Sequence, residues 1–257
     1  MTMLGAGAIA MWWDIERHWR QEFENWHSHE HFPERMSIPG FLRGSRWISA
    51  QGNEGFFVLY ELERYETLVS PAYLERLNSP TPWSTRLMPQ HRNMVRSQCR
   101  VVDSVGGMLG RYVLTLRLTP VVGAESSLQA YLADHARTVA QEPGISGAHL
   151  LVTQTPDIPA TTEQRIRGGR DREAAWIYLV TGYEIGAMVN CHAELLGAET
   201  WLQQTDPHAT WSDTYTLSHT LESPSLSVTV SAQECLTAGT IANRPDATHR
   251  QPGRETG

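Results

Sequence analysis

Cysteine is scarce in this chain. Cys99, Cys191 and Cys235 are the only three in 257 residues, and no Cys-x-x-Cys spacing occurs. An odd, dispersed set of thiols excludes a disulfide framework and a zinc ribbon and fits a reducing compartment. Excess positive charge is lacking as well. Arginine and lysine together number 21 against 28 acidic residues, a formal charge of −7. No basic surplus is left to neutralise phosphates, so nucleic acid is not an expected partner. No apolar run approaches the roughly 20 residues that span a bilayer. The first ten residues are apolar, but no basic segment precedes them, and Trp12, Trp13 and Asp14 follow where small cleavage-site residues belong. That stretch reads as a first strand, not a signal peptide. A cytoplasmic protein without a membrane partner is the expectation. Missing too are the GxSxG elbow, the P-loop and the dinucleotide fingerprint. GAGAIA at 5–10 is glycine-rich but lies within or before a strand, not after one.

What is present is enough for a core: 40% hydrophobic residues and nine tryptophans. An internal repeat organises them. A helical pattern ends at Pro39-Gly40, and another ends at Pro143-Gly144. Trp83 precedes Pro89 as Trp201 precedes Pro207. The second pair of anchors is spaced more widely than the first because of one extra stretch, about 155–173, with four arginines, turn residues and no apolar periodicity. It reads as an inserted, mobile loop whose RIRGGRDR run is solvated, with an anion clamp or a lid as the alternatives.

Strand patterns fall at about 5–14, 41–50, 55–63, 94–103, 110–119, 145–154, 174–183 and 211–220. Helical patterns fall at 16–31, 70–79, 125–141 and 186–204. Each half, 1–105 and 106–222, is therefore βαββαβ, a ferredoxin-like repeat of the α+β class. One such sheet leaves a face open. Two in one chain close sheet on sheet, as an intramolecular dimeric α+β barrel. The tail, 223–257, offers LSVTVS as an edge strand and then turns polar and disordered.

NWHSHEHFPERMSIPG at 25–40 holds the densest chemistry. On a wheel of 100° per residue, Trp19, Phe23 and Trp26 form an apolar stripe. His27 is at its margin, His31 one turn beyond, Glu30 inside it and His29 opposite. His27 and His31 have the i, i+4 spacing of a metal pair, but His29 cannot join them, and no metal is expected. Pro33 predicts a helix end near Phe32, where the dipole raises an imidazole pKa while burial opposes it. Glu30, costly in an apolar stripe, predicts a partner in Arg35 or Arg46. It forms either a helix-end salt bridge or, with His31, a proton-transfer pair. In the second half His135 falls among Leu128, Leu132 and Val139, as a core histidine or a second site. Tyr60 and Trp83, with Trp12, Trp13 and Trp47, are aromatic residues for a core or an aromatic-accepting pocket.

The segments NWHSHEHFPERMSIPGFLRGSRW and FFVLYELERYETLVSPAYLERLNSPTPWSTRLMPQHRNMVR resemble the EthD-like group of the dimeric α+β barrel superfamily over residues 5–105. The resemblance implies a cleft between each sheet and its helices. By motif it carries over Glu30, His31, Pro33, Glu34 and Arg35, then Trp83, Pro89, Arg92 and Asn93. The group's histidine directly after the proline is replaced by Gln90, with His91 one position later. The superfamily's chemistry implies a cofactor-free enzyme of the lyase, isomerase or dehydratase kind acting on a small hydrophobic or aromatic metabolite. His31 would be base or acid, with Glu30 to orient it and Arg35, Arg46 or Arg92 to hold an oxyanion. The alternatives are a haem protein, with His31 or His135 as axial ligand, and a non-catalytic small-molecule module. The resemblance leaves room for a homodimer of such pseudo-dimers.

Overall fold

A computed structural model describes residues 3–169 and 171–226. The first half contains strands β1 (Gly7–Asp14), β2 (Phe41–Ser49), β3 (Gly55–Leu62) and β4 (Arg92–Gly106). Its helices are α1 (Arg17–Trp26), α2 (Phe32–Met36), α3 (Pro71–Asn78) and α4 (Pro82–Leu87). The second half contains β5 (Tyr112–Leu118), β6 (Ile145–Thr153), β7 (Trp176–Gly182) and β8 (Trp211–Glu222). Its helices are α5 (Glu125–Val139), α6 (Thr162–Ile166), α7 (Ile185–Gly197) and α8 (Glu199–Gln204). None of the described helices is long and apolar enough to cross a membrane.

The strands close into a barrel in the order β1-β3-β2-β8-β5-β7-β6-β4. Each half thus has the ferredoxin-like order 4-1-3-2, and the halves join through the antiparallel pairs β2–β8 and β4–β6. Closure removes the sheet edges. It also buries both faces of β1, β3 and β7, because helices cover one face and the opposite sheet the other. Along β1, Ile9, Met11 and Trp13 meet the helices, while Ala8, Ala10 and Trp12 fill the barrel. In β7, Tyr178 and Val180 face the second half's helices, and Ile177 and Leu179 face inward.

Both Pro-Gly anchors are turns into a strand. Gly40 and Gly144 have φ of +88° and +92°, which side-chain-bearing residues rarely adopt. The long helical pattern of the second half is split by Ala198, whose extended backbone separates α7 from α8. The predicted helix end at Phe32 is overturned. Phe32 is helical, and the chain runs on to Met36. A single π-helical turn, His27–His31, closed by the Phe32 N–H on the His27 carbonyl, accommodates Pro33. Proline lacks the N–H for the regular bond and crowds the carbonyl four residues back, and the wider turn relieves both.

The reading of 155–173 as a solvated loop is corrected over its middle, while Thr155, Asp157, Pro159, Ala160, Arg172 and Glu173 are exposed as expected. Thr161 caps α6 through a capping box with Gln164, and Glu163 is buried. The expected edge strand, apart from its first residue, and the polar tail after 241 lie outside the described residues.

Candidate functional site

The π turn sets the register of the site. A four-residue spacing drifts around a regular helix of 3.6 residues per turn, and one wider turn offsets that drift. His27, His31 and Arg35 therefore line one buried face. The ring centroids of His27 and His31 are 5.5 Å apart. His31 lies 4.6 Å from Trp26, and His27 lies 4.2 Å from Phe32. His91, held by its Nδ1 on the Met88 carbonyl at 2.9 Å, approaches from behind Trp13 at 4.9 Å.

These imidazoles are neutral at pH 7. Burial, then the charge of Arg46, lowers the His27 pKa well below its ordinary value. Burial, then Arg35, does the same for His31. Burial takes His91 down to about 4, against its hydrogen bond to Met88. The near-neutral pKa expected for His31 is corrected accordingly: no helix end lies there to favour the imidazolium.

Arg35 is almost wholly buried, and Nη2 donates to Oε1 of Glu163 on α6. Burial pulls its pKa down, but the carboxylate of Glu163, then Tyr73 and Glu34, raise it overall. Arg167 stands 3.7 Å from the other Glu163 oxygen and donates to Asp171 at 2.8 Å. The insert of the second half thus covers the histidines of the first. Beneath it is a cavity of about 40 Å³ lined by His27, His31, Arg35, Tyr60, His91 and Glu163, among others. That is room for a few small-molecule atoms or waters. His31 Nδ1, Arg35 Nη1, the Tyr60 hydroxyl and Trp13 Nε1, all on residues of its wall, are buried without a hydrogen-bond partner. Glu34 Oε2 is 3.7 Å from His31 Nδ1, too long for a hydrogen bond. Burial raises the Glu34 pKa, with Arg35 opposing.

A larger groove of about 460 Å³ adjoins this cavity, and Leu77, Arg96 and Arg167 wall both. Arg96 donates to the Tyr73 hydroxyl at 2.8 Å and to Gln98 at 3.0 Å. The chain has no lysine, so every side-chain cation other than an imidazolium is a guanidinium. Amine nucleophiles for Schiff-base chemistry are absent from its side chains.

The remaining predicted residues are dispersed. Glu30 pairs with neither Arg35 nor Arg46. It accepts from Trp26 Nε1 at 3.1 Å, from Thr81 Oγ1 and from Ser84 Oγ at 3.4 Å, and so pins the π turn to the start of α4. His29 points away and bonds the Asn25 carbonyl, as the wheel indicates. Arg46 reaches His27 Nδ1 at 3.5 Å and the Glu24 carbonyl at 3.3 Å. Trp83 packs on the first half's core. Arg92 and Asn93 lie elsewhere, on Glu16 and Glu54 and on Asp14 respectively. His135 is in the other half, 2.8 Å from the Tyr178 hydroxyl, beside a groove of about 300 Å³. Among the described residues no group of three histidines, cysteines or carboxylates is placed to hold a metal. Glu163, Tyr73 and Arg96 escape the sequence reading, and Arg167 enters it only as one of the arginines of RIRGGRDR. Thr161-x-x-Gln164, a capping-box pattern, is the signal that exposes the insert's helix.

No family model matches the chain, and no curated protein matches it. Solved structures do. An anthrone oxidase-like protein is 12% identical, with 87% of this chain and 96% of that one covered and a TM-score of 0.59. A candidate monooxygenase from Fusobacterium nucleatum is 8% identical, with 86% and 96% covered and a TM-score of 0.54. A candidate chlorite dismutase is 11% identical, with 83% and 95% covered and a TM-score of 0.53. The likeness is one of fold. The chain is a dimeric α+β barrel built from two ferredoxin-like halves.

Proposed function

We propose that this protein is a cofactor-independent enzyme that takes a proton from a small aromatic substrate in the first half's cleft. The observation that carries the reading is the convergence of His31 Nδ1, Arg35 Nη1 and the Tyr60 hydroxyl on one cavity, each buried without a hydrogen-bond partner. A neutral imidazole accepts a proton. A guanidinium and a phenol donate to the oxygen on which negative charge then develops. Glu34, 3.7 Å from His31, stands where the new imidazolium needs a counter-charge. A base held so far below its ordinary pKa is weak, so the substrate proton must be acidic: a phenol, or a carbon flanked by aromatic rings and a carbonyl. The body of such a molecule suits the 460 Å³ groove, with its reacting end passing between Arg96 and Arg167. The EthD-like resemblance of residues 5–105 and the description of one structural neighbour as anthrone oxidase-like point to the same substrate class.

A haem on His31 does not fit while the insert is in place. The adjoining space is about 40 Å³, and Glu163 closes it. On His135, Tyr178 engages Nδ1 and leaves Nε2 as the atom an iron would take, so the haem alternative stays with that ring.

The test is turnover of 1,8-dihydroxyanthrone, followed by absorbance and with an oxygen electrode. Loss of substrate in wild type and its slowing by about 10²–10⁴ in His31→Ala are expected. Oxygen uptake marks an oxygenase, and turnover without uptake marks a lyase or isomerase. Saturable binding without turnover of this and related phenols overturns the enzymatic reading in favour of a binding module. A Soret band on titration with haem favours the haem alternative.

A further inference from the structure

The barrel interior opens at one end into a second cavity, of about 380 Å³, within the range of small-molecule sites. It lies at the ends of β1 and β5 and the beginnings of β3, β4 and β8, and it shares only Trp13 with the histidine cavity. Trp12 and Tyr215 line it, and behind them runs an aromatic stack of the barrel interior. Trp12 lies 4.9 Å from Phe57, which lies 5.3 Å from Trp47 and 5.9 Å from Tyr215. The Arg117 guanidinium sits 5.1 Å from the Trp12 ring and 5.7 Å from the Trp211 ring. Trp211 is 55% exposed, which is unusual for so large an aromatic surface.

The charges here are unevenly satisfied. The carboxylates have their donors: Asp14 accepts from Asn93 Nδ2 at 2.7 Å, and Asp213 from the Thr214 N–H at 2.8 Å. Asn93 adopts φ of +55°, outside the usual range of a non-glycine residue, at this rim. The cations lack their acceptors. The Arg117 guanidinium makes no hydrogen bond or ion pair among the described residues, and Arg172 reaches only the Asn93 carbonyl, at 2.9 Å. Burial lowers the Arg117 pKa, and the like charge of Arg172 adds to the fall, while Tyr215, Asp213 and Asp14 oppose it. Two guanidiniums that repel one another across an aromatic-walled pocket form a receptor for an anion with a flat body.

We infer that the barrel mouth is a second ligand site, one that binds a planar aromatic carboxylate. The ring lies against the exposed indole of Trp211, and the carboxylate takes the Arg117 fork with Arg172 beside it.

The test is isothermal titration of the full chain with 2-naphthoate, with neutral 2-naphthamide as control. Saturable naphthoate binding below about 5 mM is expected, with the amide at least about tenfold weaker, the loss a charge-assisted hydrogen-bond pair confers. Arg117→Gln should weaken naphthoate by about the same factor. Trp211→Ala, at an exposed position, should weaken it without lowering the melting temperature, which covers the case in which Arg117→Gln fails to fold. His31→Ala should bind as wild type does. Equal affinity for the amide, indifference to Trp211→Ala, loss in His31→Ala or no saturation each overturns the assignment.

Discussion

Arg35, on the helix that follows the π turn, meets Glu163, 128 residues further along the chain, in a buried ion pair. The pair joins the first half's site to a helix that belongs to the second half. Both side chains are at most 5% exposed, so neither charge has water to fall back on. Removing one partner from such a pair costs roughly 3–5 kcal/mol, chiefly because the other charge is left buried and alone. Glu163→Ala should therefore lower stability by about that amount, read from urea unfolding. The double variant Arg35→Met/Glu163→Ala should recover a large part of it. An unchanged midpoint in Glu163→Ala would mean that Arg167 and Asp171 suffice to hold the insert.

The same pair bears on proteolysis. A solvated loop at 155–173 would be the first segment cut. With Glu163 and Arg167 buried, the insert should resist trypsin in the wild type despite its arginines. Cleavage after Arg165 or Arg167 should become rapid in Glu163→Ala, because opening then costs less. Rapid cleavage of the wild-type insert would contradict the docked arrangement.

The histidine cluster can be separated residue by residue. His31→Ala should reduce turnover by about 10²–10⁴, the usual worth of a general base, with the fold retained. His29→Ala, on the outer face, should be fully active. Glu30→Ala should behave differently from both. It strips the shared acceptor from Trp26, Thr81 and Ser84, and it should cost about 1–3 kcal/mol of stability while the folded enzyme keeps its kcat. A Glu30 variant that is stable and inactive would return this carboxylate to the chemistry.

What the sequence disclosed and what it hid follow one rule. Features set by local backbone chemistry were legible: Gly40 and Gly144 need their left-handed turns wherever they occur, and alternation along β1 or β7 survives in any sheet. The closed barrel followed from the repeat, because two βαββαβ halves in one chain can cover each other's open sheet face. Features set by a change of helical period were not. A wheel drawn at 100° per residue puts Glu30 in the apolar stripe and His31 beyond it. The π turn instead buries His31 beside His27 and gives Glu30 to α4. Long-range pairing was hidden for another reason. Nothing in RIRGGRDR marks which guanidinium will be buried, because Arg167 is covered only once Glu163 meets Arg35 from the other half.

Acid should destabilise the protein through its buried imidazoles. His149, on β6, is fully buried with Nδ1 on the Ser104 hydroxyl at 2.7 Å. Burial pushes its pKa down to about 4, with a backbone hydrogen bond at Gly107 opposing and Arg43 adding to the fall. The unfolded chain titrates near 6.5. Between those values the unfolded state holds a proton that the folded state refuses, so stability rises with pH across the window. The contribution is complete above about pH 6.5 and is lost as pH falls toward 4, roughly 3 kcal/mol from His149 alone. His27, His31 and His91 shift in the same direction and steepen the loss. Glu34, whose pKa is raised, works weakly the other way. Urea midpoints measured from pH 7.5 to 5 should fall progressively, ahead of general carboxylate protonation. His149→Asn, which can keep the bond to Ser104 but cannot titrate, should flatten that slope. A midpoint constant from pH 7.5 to 5 would show that these rings carry the same charge in the folded and unfolded states.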